Sequence, residues 1–144
     1  LGSFLDPKGK RATMLMLGSL IMIACHLSFA FLLPIYPNEW FALLIIVILG
    51  VSFSLVPAAL WPSVPKIIDP VILGSAYSLI FWIQNIGLCF VPLIIGMTLK
   101  ATGGYLVPML IFASLGVLAL ILSFALKAFD KKKGFGLEEP NIKE

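Results

Sequence analysis

The sequence predicts an all-α integral membrane protein of four transmembrane helices, and three observations carry that prediction. Of 144 residues, 60% are hydrophobic and only 12% charged, with a mean hydropathy of +1.09. A soluble domain of this length has too little interior to hide so much apolar surface. The charges are also segregated, since no Asp, Glu, Lys or Arg occurs in 12–38, 40–65, 71–99 or 101–126. Each run is long enough for a bilayer, because about 20 helical residues at ~1.5 Å each span the roughly 30 Å hydrocarbon core. The expected crossings are 12–33, 41–62, 73–98 and 105–127, between a loop at 1–11 and a tail at 128–144.

Four crossings return the chain to its starting side. Lys8, Lys10, Arg11, Lys66, Lys127, Lys131, Lys132, Lys133 and Lys143 then share one side and Lys100 stands alone on the other. The positive-inside tendency makes the rich side cytoplasmic, with both ends of the chain on it. This placement accounts for the net charge of +3 without a nucleic acid partner. Cys25 and Cys89 lie within apolar runs and read as small buried hydrophobes rather than a disulfide. No Asn-x-Ser/Thr sequon is present. The chain opens at Leu1 on a loop, without the charged and short apolar regions of a signal peptide, so it is expected to be the C-terminal part of a longer membrane protein.

In the first loop, Gly2 and Gly9 permit tight turns, Asp6 can accept from backbone donors, and Lys8, Lys10 and Arg11 mark the cytoplasmic side. In the first crossing Ser19 and His26 are seven residues apart and share a face with Met22 and Ile23. A lone His at such a position reads as a neutral residue hydrogen-bonded to a neighbouring helix, against the alternatives of metal ligand or proton carrier. A turn-rich connection at 34–40 follows, with Tyr36 and Trp40 suited to an interfacial aromatic belt.

The second crossing places Gly50, Ser54, Pro57 and Trp61 on one helical face. Small residues there admit a close neighbour, and Pro57 bends the helix. Trp61 is either an interfacial anchor or part of a cavity wall. Pro62, Pro65 and Pro70 are expected to end helical structure in a short connection carrying Lys66 and Asp69.

In the third crossing, Gly74, Tyr77, Ser78, Gln84 and Asn85 fall within an arc of about 120°, with Phe81 and Leu88 among them. Leu79, Ile80, Ile83 and Ile86 lie on the other side. Gln84 and Asn85 at this depth either bond neighbouring helices or, with Tyr77 and Ser78, wall a water-filled pathway. Pro92 marks a further bend. Gly103-Gly104 makes a flexible turn that lacks the Lys-Ser/Thr of a phosphate loop. The fourth crossing has only Ser114 and Ser123 as hydroxyls, with Gly116 in a packing role, and is expected to be peripheral. Beyond Lys127 the basic run 127–133 suits anionic headgroups, and 134–144 reads as a disordered tail.

Gly2, Asp6, Gly9, Lys10 and Arg11 resemble the cytoplasmic loop motif of the major facilitator superfamily, Gly-x-x-x-Asp-(Arg/Lys)-x-Gly-(Arg/Lys)-(Arg/Lys), with Pro7 replacing the first basic residue. Gly50-Val-Ser-Phe-Ser-Leu55, Ala59-Leu-Trp-Pro62, Leu73-Gly-Ser-Ala-Tyr77, Ile83-Gln-Asn-Ile-Gly-Leu88 and Gly104-Tyr105 resemble the last helices of its lysosomal dipeptide-transporting branch. The likeness covers about residues 2–127. It implies that the crossings correspond to helices 9–12 of a twelve-helix fold whose first eight helices, the whole N-terminal half among them, are missing here. In that fold the loop latches one half against the other, helices 10 and 11 face the central cavity, and 9 and 12 lie outside. The implied function is export of dipeptides from the lysosome, with an accessory glycosylated lysosomal membrane protein as partner. Trp61, Gln84 and Asn85 match the branch's pattern and are the expected contacts for a peptide. Charged groups to hold its termini are absent from these helices and must come from the missing half.

The expected function is therefore secondary or facilitative transport of dipeptides or a similar small organic solute by alternating access, in a multi-pass lysosomal or other membrane. No cofactor is called for. A four-helix scaffold or accessory subunit is the competing class. An enzyme is disfavoured because one His and no membrane-embedded carboxylate offer neither a nucleophile–base pair nor a metal ligand set.

Overall fold

A computed structural model describes residues 9–139. The calls on Gly2 and Asp6 therefore lie outside the described residues. Four long helices follow one another, and no strand occurs among the described residues. Helix α1 spans Arg11–Ile35, α2 Glu39–Ile67, α3 Pro70–Thr102 and α4 Leu106–Lys133, and each is long and apolar enough to cross a membrane. Short links make neighbours in sequence antiparallel. One end of the bundle consequently gathers Lys10, Arg11, Lys66 and the basic run of α4, and is here called the basic end.

Prolines adjust these helices rather than stopping them. Pro34 lacks the N–H that would bond the carbonyl of Ala30 and crowds that carbonyl. The preceding turn widens into a π-helix at Ser28–Leu32, with the Leu33 N–H reaching back to the Ser28 carbonyl, and the helix then runs on to Ile35. In α2, Pro62 and Pro65 were expected to end the helix. Both instead sit in first-turn positions, where a missing N–H costs nothing: Pro62 opens a 3-10 turn at Trp61–Ser63 and Pro65 an α turn at Val64–Ile67. Helix α3 continues through Pro92.

The core forms along α1. Its Ala12, Leu15 and Cys25 are buried, as are Ile45, Leu55 and Ala59 of α2 and Ala113 of α4. At the α1–α2 crossing the fully buried Ser52 hydroxyl donates to the Gly18 carbonyl at 2.6 Å. A Cβ on Gly18 would lie 3.3 Å from Val56. At the α1–α4 crossing, Gly116 leaves room for Ile23, which an added Cβ would meet at 2.8 Å. Small residues thus let backbones approach where lipid supplies no hydrophobic drive between helices.

Helix α4 is accordingly not a loosely attached outer helix within these four. It packs along α1, and α3 is the outlying member, with no buried residue from end to end. The expected close-packing face on α2 is also displaced. Gly50 has nothing within 4 Å of an added Cβ, and Ser54 donates to its own helix at the Gly50 carbonyl. The row carrying Ser52 makes the contact instead.

The tail departs from expectation as well. Residues 134–139 were expected to be disordered, yet they fold back across the basic end. Gly134 closes α4 in a left-handed conformation, with its N–H on the Asp130 carbonyl. The Leu137 N–H then donates to Asp130 Oδ1 at 3.0 Å, and the Leu137 side chain is fully buried. From there the strap covers the start of α1.

Candidate functional site: an aromatic and amide recess between α2 and α3

Near the basic end, α2 and α3 converge on Trp61. The Trp61 ring stacks on Phe81 with centroids 4.9 Å apart and is tilted against Tyr77 at 5.8 Å. The Tyr77 hydroxyl donates to the Trp61 carbonyl at 3.1 Å. That carbonyl belongs to the turn at which α2 tightens from α to 3-10. Phe81 follows Tyr77 by four residues, so one face of α3 presents both rings to one partner.

Beside this cluster lies a recess of about 350 Å³, lined by Met22 of α1, by Phe53, Val56, Pro57, Leu60 and Trp61 of α2, and by Ile80, Ile83 and Gln84 of α3. The wall is apolar except for one amide. Of the pathway residues singled out from sequence, Trp61 and Gln84 line it, and Tyr77 meets Trp61 beside it. Ser78 and Asn85 do not line the recess. Ser78 donates to the Gly74 carbonyl at 2.9 Å and Asn85 Nδ2 to the Phe81 carbonyl at 2.8 Å, each within α3 and each on its exposed surface. Ile80 and Ile83, expected on the opposite side of the helix, join the lining. An amide and an isoleucine one position apart diverge by about 100°, and a concave wall shared by three helices collects residues from a wider arc than one helix face.

His26 occupies a separate place. Its Nδ1 lies 2.8 Å from the Met22 carbonyl, which makes Nδ1 the donor, and its ring packs on Phe112 of α4 at 5.1 Å. The expected bond to a neighbouring helix is thus a bond within α1. No group of three His, Cys, Asp or Glu residues able to hold a metal ion occurs among the described residues.

Of the loop motif, Gly9, Lys10 and Arg11 are described. Gly9 and Lys10 both have positive φ, of 63° and 56°. A Cβ on Gly9 would come within 2.5 Å of the Glu139 backbone, so only glycine admits the strap there. Arg11 is fully buried.

Four apolar, antiparallel helices with charge confined to their ends make the chain an all-α, multi-pass membrane protein. Comparison with known proteins supports the major facilitator resemblance and makes it specific. The chain is 34% identical over 137 residues to the lysosomal dipeptide transporter MFSD1 of Danio rerio, covering 95% of this chain and 28% of that protein. It is 35% identical over 126 residues to MFSD1 of Bos taurus, covering 85% of this chain and 25% of the relative. Against MFSD1 of Homo sapiens it is 31% identical over 125 residues, 85% of this chain and 26% of the relative. The chain thus spans about a quarter of the length of these relatives. No family model matches the chain, and no solved structure does.

Proposed function

We propose that these four helices are helices 9–12 of a lysosomal membrane transporter that moves dipeptides or a similar small organic solute by alternating access, with the basic end in the cytosol. The observation that carries the reading is the recess where Trp61 and Gln84 meet, in a chain matched along most of its length by dipeptide transporters. Trp61 offers a broad apolar and π surface to a side chain of the solute, and Gln84 one donor and one acceptor to its peptide group. Tyr77 fixes the rim through the Trp61 carbonyl. Ser78 and Asn85, exposed on α3, would border the pathway toward the other half of the transporter. Lys10 and Arg11, with Gly2, Asp6 and Gly9, would form the cytoplasmic latch, and an accessory glycosylated lysosomal membrane protein is the partner that this reading entails.

The recess holds no charge, so the ionised termini of a dipeptide must be met by residues outside these helices. The test is uptake of labelled dipeptide into proteoliposomes carrying the complete polypeptide. Trp61→Ala and Gln84→Ala are each expected to cut uptake about tenfold, as loss of about 1.4 kcal/mol of binding requires, with expression unchanged. Unchanged uptake in both variants would remove the recess from the pathway, and no uptake by the unaltered protein would favour a scaffold.

A further inference from the structure

The strap at 134–139 does what α1 cannot do for itself. A helix begins with four backbone N–H groups that lack intrahelical partners, and the residue before α1, Lys10, supplies no side-chain cap. The strap takes over. Lys10 N–H donates to the Glu138 carbonyl at 3.2 Å and Arg11 N–H to the Leu137 carbonyl at 3.0 Å. The Glu138 carboxylate accepts from the Thr13 N–H at 2.9 Å through Oε1 and from the Thr13 hydroxyl at 2.8 Å through Oε2. A negative group also sits favourably on the positive end of the helix.

The same segment reaches two more helices. From α2, Lys66 Nζ donates to the carbonyls of Gly136 at 2.6 Å and Glu139 at 3.2 Å. From α4, Lys127 Nζ donates to Thr13 Oγ1 at 2.6 Å and lies 3.9 Å from Glu138, while Asp130 holds the Leu137 N–H. No such bond links the strap to α3 among the described residues.

We propose that this strap is a clasp that fastens α1, α2 and α4 into one unit at the basic end and leaves α3 as the helix that moves against it. The contact about which α3 would turn is the Trp61, Tyr77 and Phe81 cluster. A simple helix cap would steady the start of α1 alone. A clasp couples three separate helix ends, so their opening becomes one event. The inference does not depend on what is transported.

Hydrogen exchange of the complete polypeptide in lipid nanodiscs separates the two roles. Glu138→Ala is expected to accelerate exchange about tenfold in all three peptides covering 10–16, 64–68 and 127–133, with exchange across 78–98 of α3 unchanged. Glu138→Gln, which keeps an acceptor for the Thr13 N–H, should fall between the two. Gly9→Ala, acting from the opposite side of the clasp, should reproduce the pattern; should it fail to fold, the Glu138 pair decides alone. Acceleration confined to 10–16 overturns the proposal in favour of a local cap, and acceleration of α3 to the same degree overturns the division between unit and moving helix.

Discussion

Single side chains in this protein matter most where they let two backbones meet. Ser52 is the clearest case, buried to 0% exposure with its hydroxyl on the Gly18 carbonyl. Replacing it by alanine removes the bond without adding bulk, at an expected cost of about 1 kcal/mol, whereas leucine would force α1 and α2 apart and cost more. Thermal unfolding in detergent, ranking Ser52→Ala above Ser52→Leu, checks the pair. The neighbouring Ser54 bonds only its own helix on an exposed face, and alanine there should leave the midpoint unchanged. From sequence the two serines are hardly distinguishable. They stand two apart in an unbroken apolar run, and the row of Gly50, Ser54 and Pro57 looked the better groove, because spacing shows which residues share a face but not which face another helix takes. Gln84 and Trp61 were legible for a different reason: a polar or large amphipathic group at membrane depth is costly enough to announce itself.

Among the elements, α1 and α3 are opposites. Helix α1 gathers the core, and α3 buries nothing, so its attachment rests heavily on the aromatic cluster at Trp61. Tyr77→Phe keeps the ring but deletes the bond to the Trp61 carbonyl. We expect it to lower stability by about 1 kcal/mol and to raise labelling of the exposed Cys89 on α3, read with a membrane-permeant maleimide. The π turn of α1 carries a separate expectation. Replacing Pro34 by alanine restores the missing donor, so Ser28–Leu32 should relax to α-helical register, visible as altered amide shifts over that turn. The four spans were legible because a bilayer allows charge only at helix ends. The π turn was not, since Pro34 after a long apolar run equally well signals a helix that has ended.

At the scale of the whole molecule, charge and exposure sort along one axis. Large apolar side chains such as Trp82, Leu88 and Phe90 are open on α3, as are Phe53 on α2 and Phe124 on α4, and a bilayer or further helices would cover them. The strap closes the basic end, and its presence could not be read from 134–144. That segment is short, rich in Gly and charge, and its one telling residue, Leu137, becomes meaningful only when the chain has brought a pocket to it. Glycine at 9 was legible as a turn, but not as the gap through which Glu139 passes. Charge reversal offers a further check at this scale. Lys66→Glu would set a carboxylate against the Gly136 and Glu139 carbonyls, and we expect it to lower the thermal midpoint more than Lys100→Glu, which lies at the opposite end where no bond of this kind is made among the described residues.

The clasp also orders events in time. The Thr13 N–H and the Glu138 carboxylate that satisfies it are separated by 125 positions in the chain. During vectorial synthesis α1 enters the membrane while its capping group is still untranslated, and the donors at its leading end stay with water or headgroups until the ribosome has finished α4. Completion of the basic end is therefore a late step in the synthesis of these four helices. A messenger truncated shortly before residue 137 would yield all four of these crossings and still leave α1 with a bare helix terminus for quality control to find.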